Sequence, residues 1–112
     1  MNWALSSQIT RVVIPLNIAY GSDVDLAYKV ITETVCSTAL VLAEPKPEVY
    51  FLRFGESALE FSIRVHVNEL GHRMLVTHDL HLRLYKALAE HHIEIPFPQR
   101  DIHIRSSAQQ SV

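Results

Sequence analysis

The chain has 112 residues, of which 48% are hydrophobic and 20% are charged, and its formal net charge is -2. This length fits one domain with a single modest core, and the ordinary composition excludes an intrinsically disordered chain. The nearly balanced charge gives no basis for binding nucleic acid or an anionic membrane surface. A single cysteine, Cys36, excludes a disulfide framework within the chain and favours a reducing compartment.

Two stretches bear on membranes. Met1-Asn2-Trp3 lacks the basic start and the apolar core of a signal peptide, so we expect none. The longest apolar run, residues 39–43, is far shorter than the ~20 residues that span a bilayer. We therefore expect no membrane-spanning helix in this sequence.

The N-terminal region is predicted to be an arm followed by a strand. Residues 1–10 are mostly polar and are expected to be unanchored. Residues 11–19 alternate in polarity, which is typical of a half-buried strand, and Pro15 favours an edge position. The apolar face of this strand consists of Val12, Ile14, Leu16 and Ile18.

A helix is predicted to follow directly. Gly21-Ser22 ends the strand, and Ser22 with the acidic residue Asp25 resembles a capping box with Ser22 as the N-cap. The apolar residues then recur at three- and four-residue spacing and fade near Leu42. The predicted buried stripe consists of Ala27, Val30, Ile31, Val35 and Ala39.

The middle of the chain is predicted to form a hairpin. Residues 48–55 and 58–67 are the two strands, with residues 55–57 as the turn. The second strand alternates most regularly, so its two faces can be assigned. The inward face is Leu59, Phe61, Ile63, Val65 and Val67; the outward face is Glu60, Ser62, Arg64 and His66.

The C-terminal third is predicted to contain a second helix and a last strand. The helix covers about residues 72–91, and its buried stripe is Val76, Leu80, Leu84, Ala87, Leu88 and His91. Pro96 and Pro98 then force an extended exit, and residues 93–104 supply the strand. The order β-α-β-β-α-β predicts an α+β, ferredoxin-like sandwich with two helices on one face of a mixed or antiparallel sheet.

Candidate chemistry is sparse. His78 and His81 share a helix face and His91 and His92 follow, but a metal site needs three or four converging ligands, so we expect no metal and no cofactor. Cys36 lies mid-helix without a basic neighbour and is predicted to be a buried or half-buried inert thiol. Because no nucleophile–base pair is visible, we expect no enzyme and no catalytic residue.

The second predicted helix carries apolar residues outside its buried stripe. Met74, Leu75, His78, Leu82 and Tyr85 form a stripe on the second helix outside the core set, which predicts either a thicker core or a subunit interface. Phe97, Arg100 and Asp101 follow the second helix closely. Arg100 and Asp101 fit a local role, binding backbone groups at the turn, as well as a role in contacts between subunits.

Three motifs occur in a fixed order: Ile18-Ala19-Tyr20-Gly21-Ser22-Asp23-Val24, Phe51-Leu52-Arg53-Phe54-Gly55-Glu56-Ser57-Ala58-Leu59-Glu60-Phe61, and Ile93-Glu94-Ile95-Pro96-Phe97-Pro98-Gln99-Arg100-Asp101-Ile102-His103-Ile104. Together they resemble the C-terminal cytoplasmic domain of MscS-type small-conductance mechanosensitive channels. The chain departs from that pattern at His92, where relatives often have glycine, so either His92 tolerates the helix C-cap conformation or the helix ends in another way.

The resemblance implies a domain division and a function. Residues 1–10 would be the tail of a preceding β-domain that is mostly missing here, residues 11–105 the α/β domain, and residues 106–112 a flexible tail. The domain would line the solute-filtering vestibule below a tension-gated pore, as part of a homo-oligomer, a heptamer in the family. It would lie on the cytoplasmic face of the bacterial inner membrane and reach the membrane only through the missing N-terminal part.

The implied subunit interface comprises Leu75, His78, Leu82, Tyr85, Phe97, Arg100 and Asp101. The alternative function is a free-standing ferredoxin-like regulatory module that binds a small ligand.

Overall fold

The computed structural model describes residues 8–96, which form three strands and two α-helices around one core. The elements in chain order are β1 (Thr10–Ile18), α1 (Val24–Cys36), β2 (Glu48–Phe54), β3 (Leu59–Val67) and α2 (Arg73–Glu90). A 3-10 turn, Leu70–His72, leads into α2. The strand order of this sheet is β1-β3-β2 with antiparallel pairing throughout, which confirms the predicted α+β class.

The central strand, β3, supplies much of the core. Its predicted inward face is confirmed, because each of those five side chains is at most 4% exposed. In the register with β1, Ile63 lies opposite Ile14 and Val65 opposite Val12, so apolar side chains meet across the pair. Pro15 lies on β1, at an edge of the described sheet, as predicted.

Ser62 lies on the predicted outward face of β3, but it is only 4% exposed and so is buried on that face. Pro15 and Tyr50 lie opposite Ser62 on the two flanking strands, and Arg64 Nε donates to Ser62 Oγ at 3.4 Å. A small side chain on a central strand is thus covered by larger lateral neighbours, even on the face that is away from the helices.

The start of α1 uses a different cap from the predicted one. Asp23 is the N-cap, and its Oδ1 accepts a hydrogen bond from the Leu26 amide at 3.1 Å. The prediction of Ser22 as N-cap is wrong, because the Ser22 hydroxyl donates to the Ala19 carbonyl at 2.6 Å. Ser22 therefore closes the turn that Gly21, with a φ of 92°, makes after β1.

α1 ends at Cys36, earlier than predicted. The hydroxyls of Ser37 and Thr38 both donate to the Thr34 carbonyl, at 3.0 and 2.8 Å, and such bonds compete with continued helix. Ala39 therefore lies outside the helix and is exposed, so its predicted burial is wrong. Thr38, 3% exposed, is buried instead.

α2 buries four residues of the predicted stripe, half-buries Ala87 and ends in a Schellman motif; the four are Val76, Leu80, Leu84 and Leu88. Ile93 N–H donates to the Leu88 carbonyl at 2.9 Å, and His92 N–H donates to the Ala89 carbonyl at 3.1 Å. His92 has a φ of 59°, so it does adopt the left-handed conformation for which relatives often use glycine. His91 is the exposed C-cap, and its predicted place in the buried stripe is wrong.

The predicted last strand is only partly testable. Residues 93–96 do not form a strand, although the Glu94 carbonyl accepts a hydrogen bond from the Ala19 amide at 2.9 Å. The remainder of that strand, with Phe97, Arg100 and Asp101, lies outside the described residues. The same is true of residues 1–7 and of the proposed boundary at residue 105.

Candidate functional site

Two turns and the exit from α2 meet at one end of the sheet. The Tyr20 hydroxyl donates to the Gly55 carbonyl, which joins the β1–α1 turn to the β2–β3 turn. The neighbouring Ala19 amide donates to Glu94, just after α2. The three motifs found in the sequence therefore converge through Ala19-Tyr20, a long-range contact that sequence spacing did not reveal.

The β2–β3 turn has little freedom. A Cβ at Gly55 would collide with Glu60 Oε2 and would lie 2.8 Å from the Ala58 carbonyl oxygen, so this position requires glycine. The Gly55 amide donates to that same carbonyl at 2.8 Å. Arg53 and Glu60 form an exposed ion pair of 2.5 Å across the strands. The end of the sheet where the motifs meet is thus built by backbone constraints rather than by reactive groups.

The predicted contact stripe on α2 does lie together on one exposed surface. We name it the outer face of α2. Its apolar members range from 54% exposed, for Leu82, to 72%, for Met74, and His78 is exposed as well. Residues turn by about 100° along a helix, so Leu82 lies about 200° around the axis from the buried Leu80. The outer face consists of Met74, Leu75, His78, Leu82 and Tyr85.

This exposure decides between the two interpretations of the stripe in the sequence. A thicker core would bury these side chains against another element of the same domain. Leu75 is 57% exposed and Tyr85 is 69% exposed among residues 8–96, so the thicker core is wrong for the described part of the chain. A subunit interface stays a prediction, and Phe97, Arg100 and Asp101 lie beyond the described residues.

The histidines of α2 do not converge with other ligands. His78 is exposed, and His81 donates its Nδ1–H to the Thr77 carbonyl of the preceding turn at 2.7 Å. Residues 8–96 contain no group of three or more His, Cys, Asp or Glu side chains placed to hold a metal ion. The expectation that the protein binds no metal stays a prediction for experiment.

Cys36 is exposed, so its predicted burial is wrong. Because α1 ends at this residue, the thiol lies at the margin of a groove of about 210 Å³ that it shares with Tyr28, Lys46 and Tyr50. The Glu48 carboxylate, which accepts a hydrogen bond from Tyr50 and disfavours a second negative charge, raises the pKa of the Tyr50 hydroxyl.

A larger cleft opens at the end of α2. We name it the exit cleft; its volume is about 590 Å³, and it is lined by residues 19–22, by Tyr85, Leu88 and Ala89, and by residues 92–95. Tyr85 belongs both to this cleft and to the outer face of α2. The two surfaces are therefore continuous.

No helix within residues 8–96 is long and apolar enough to cross a membrane. The described part of the chain is instead an α+β domain that leaves one apolar helix face outside its own core. That arrangement is typical of a domain that packs against another protein surface.

The chain belongs to the MscS mechanosensitive channel family, because the family model for the C-terminal part of the mechanosensitive ion channel MscS matches residues 12–95. It is 41% identical over 106 residues to an uncharacterized MscS family protein of Haemophilus influenzae, and 35% identical over 106 residues to the mechanosensitive channel MscK of Escherichia coli. Each alignment covers 95% of this chain. These matches confirm the resemblance predicted from the three motifs.

The fold is also similar to a solved channel structure. Closed-state Helicobacter pylori MscS superposes with a TM-score of 0.75 and 30% sequence identity, over 88% of this chain and 39% of that chain. The present chain spans only 10% of the length of the Haemophilus and Escherichia relatives. It therefore corresponds to one domain of much longer proteins.

Proposed function

We propose that this chain acts as the C-terminal cytoplasmic domain of a mechanosensitive channel on the inner face of a bacterial inner membrane. Support comes from the family match over residues 12–95 and from the similarity to MscK and MscS. The domain lines the vestibule below a tension-gated pore and screens solutes that approach it. The pore belongs to other parts of the channel, since no helix of residues 8–96 could span a bilayer.

In this proposal the domain is an assembly element and not an enzyme. One observation carries the assembly role: α2 buries one apolar stripe and exposes a second on the opposite side, the outer face of α2. Leu75, His78, Leu82 and Tyr85 contact a neighbouring copy, together with Phe97, Arg100 and Asp101 from beyond the described residues. The homo-oligomer has seven copies, as the family resemblance implies.

The outer face alone is small. Stable protein interfaces use roughly 20–30 residues on each side, many more than this stripe offers. We therefore expect the 112-residue chain to be a monomer or a weak small oligomer at micromolar concentration, as measured by multi-angle light scattering. A stable heptamer of this chain would contradict that expectation and would show that this domain suffices for assembly.

A chimera tests the function directly. Residues 12–95 would replace the matched segment of Escherichia coli MscK, in a bacterial strain that lacks its own mechanosensitive channels. We expect tension-gated currents in membrane patches and survival of sudden dilution, comparable with MscK rebuilt through the same junctions. A chimera that reaches the membrane as a full oligomer but never opens under tension would refute the proposal.

A matched pair of variants in that chimera tests the interface. Leu82→Asp places a charge on the outer face of α2, whereas Arg83→Asp changes an exposed residue about 100° further around the same helix, outside that face. We expect Leu82→Asp to lower the amount of assembled channel several-fold and Arg83→Asp to leave it unchanged. Equal assembly of both variants would remove the outer face from the interface.

A further inference from the structure

The outer face of α2 supplies only one of the two surfaces that a ring contact needs. In the ring proposed above, on which this inference rests, copies meet head to tail, because a ring with an odd number of copies cannot close through self-complementary contacts alone. Each contact then joins two different surfaces of the same chain. A second surface must lie elsewhere on the molecule and face the outer face of α2 of the next copy.

An apolar surface of this kind lies on the edge strand β2. Phe54 is 75% exposed, more than any other large hydrophobic residue in the part of the chain that the structure describes, and Leu52 is 46% exposed. The Phe54 ring packs edge to face on the half-buried Phe51 at 5.3 Å, and Phe51 stacks on the buried Phe61 at 5.0 Å. We name Phe51, Leu52 and Phe54 the β2 patch. It is continuous with the core, which holds its aromatic rings in place.

The irregular pairing of β2 indicates how a partner contacts this edge. The register with β3 shifts between Phe51 and Arg53, and Leu52 has no partner residue on β3. An irregularity of this type twists an edge strand and hinders the addition of a further strand. Arg53, next to the patch, is already paired with Glu60, so an apolar partner meets no free charge there. The partner therefore packs on side chains, as the apolar face of a helix does.

The positions of the two surfaces suit a ring. The strand order places β1 and β2 at opposite edges of the described sheet. The helix α2 packs over β1, whereas α1 packs over β2. The outer face of α2 and the β2 patch therefore lie on different sides of the domain, so one copy can contact a neighbour on each side.

We propose that the β2 patch of one copy packs against the outer face of α2 of the next copy. The partner is thus a second copy of this chain, and the contact is heterologous. Phe54, the most exposed ring, inserts among the large apolar side chains of the outer face, which include Leu82. Such aromatic anchors contribute a large share of the binding energy of protein interfaces.

Cysteine cross-linking in the MscK chimera tests this contact. Every other cysteine, including Cys36, is replaced by serine, and Phe54→Cys and Leu82→Cys are introduced together. A short bismaleimide should join successive copies, so we expect a ladder of covalent multimers on denaturing gels. Each cysteine alone should leave the chain monomeric on such gels. A covalent dimer formed by Leu82→Cys alone would show that two outer faces meet, and would overturn the proposal.

Val13→Cys is the matched control for Phe54→Cys. Val13 is 47% exposed and lies on β1, at the other edge of the described sheet. We expect no ladder from Val13→Cys combined with Leu82→Cys. A ladder from that pair, or none from Phe54→Cys with Leu82→Cys in a chimera that assembles and opens, would overturn this contact and leave the proposed function standing. A ladder in an assembled chimera that never opens would do the reverse, and a chimera that does not assemble would refute both.

A pair of charged variants gives a second, independent test. Phe54→Asp should lower the amount of assembled chimera several-fold, because it places a carboxylate in the apolar contact. Val13→Asp should leave assembly unchanged. Urea denaturation of the same variants in the 112-residue chain shows whether each still folds. Equal assembly of two folded variants would overturn the proposal; if Phe54→Asp does not fold, the cross-linking result decides.

Discussion

The two helices pack on the same sheet but differ on the side that faces away from it. Each buries one stripe: Ala27, Val30, Ile31 and Val35 on α1, and Val76, Leu80, Leu84 and Leu88 on α2. The other side of α1 carries charged residues such as Asp25, Lys29 and Glu33. The other side of α2 carries the five residues of the outer face, four of them large hydrophobic side chains.

This difference separates what the fold requires from what the fold leaves unexplained. A single apolar stripe is the pattern of a helix at the surface of a core, and α1 conforms to it. Isolated exposed hydrophobic residues are common, but a row at helical spacing opposite a complete buried stripe is not. Folding therefore accounts for the charged outer side of α1, whereas packing within residues 8–96 does not account for the exposed apolar row of α2.

The largest expected effect contrasts the two sides of α2. Leu80 is 0% exposed, so Leu80→Asp would bury an unpaired carboxylate and should cost several kcal/mol, enough to unfold a domain of ordinary stability. Leu82 is 54% exposed, so Leu82→Asp should change the free energy of unfolding by less than about 1 kcal/mol. Urea denaturation of the 112-residue chain, followed by circular dichroism, measures both.

A similar loss of unfolding free energy in Leu80→Asp and Leu82→Asp would mean one of two things. Either α2 is rotated relative to the structure, or the outer face of α2 is buried in the isolated chain. A concentration series separates these cases. Burial in an oligomer makes the Leu82→Asp effect grow with protein concentration, whereas a rotated helix does not.

How far the sequence predicted the molecule depends on the range of the interactions involved. The buried stripe of α2 and the inward face of β3 follow from periods of 3.6 and 2, which are local properties of each element. The N-cap of α1 depends on which of two adjacent side chains, Ser22 or Asp23, accepts a hydrogen bond from the Leu26 amide. The end of α1 depends on hydroxyl groups that donate to the Thr34 carbonyl. The burial of Ser62 depends on neighbours in other strands, which the alternation of a single strand cannot show.

The candidate site divides in the same way. The outer face of α2 was predicted, because exposed apolar residues at helical spacing are visible in one segment. The contact between Tyr20 and Gly55 and the exit cleft were not, because they join segments far apart in the chain. Cys36 was misplaced because its environment follows from where α1 ends.

The two helices also differ at their first residues, and this gives a smaller predicted effect. Asp23 caps α1 through its side chain, whereas His72, at the start of α2, makes no such bond within the described structure. Asp23→Ala should therefore lower the free energy of unfolding by about 1 kcal/mol, and Asp23→Asn should retain most of the stability. Thermal and urea melts measure this change. If Asp23→Asn lowers the free energy of unfolding as much as Asp23→Ala does, the negative charge of Asp23, and not its hydrogen bond to Leu26, stabilises the start of α1.

A substitution at the end of α2 should raise the free energy of unfolding instead of lowering it. His92 adopts a φ of 59°, a conformation that is unfavourable for a residue with a Cβ, so His92→Gly should raise the free energy of unfolding. The gain should be about 0.5 kcal/mol, because glycine also gives the unfolded chain more freedom. Gly21 has a φ of 92°, so Gly21→Ala should destabilise and serves as the control. A melting temperature that falls in His92→Gly would mean that the imidazole makes a contact worth more than the backbone strain.

The smallest expected effect concerns the histidines, which α1 lacks and α2 carries. His78 and His81 lie three residues apart and supply two imidazoles, whereas a zinc site needs three or four ligands. No third ligand joins them within residues 8–96, and His81 already donates Nδ1–H to Thr77. Zinc at up to equimolar concentration should therefore leave the melting temperature unchanged, since only binding to the folded state raises it. A cooperative rise that disappears in His78→Ala/His81→Ala would instead identify the outer face of α2 as a ligand site.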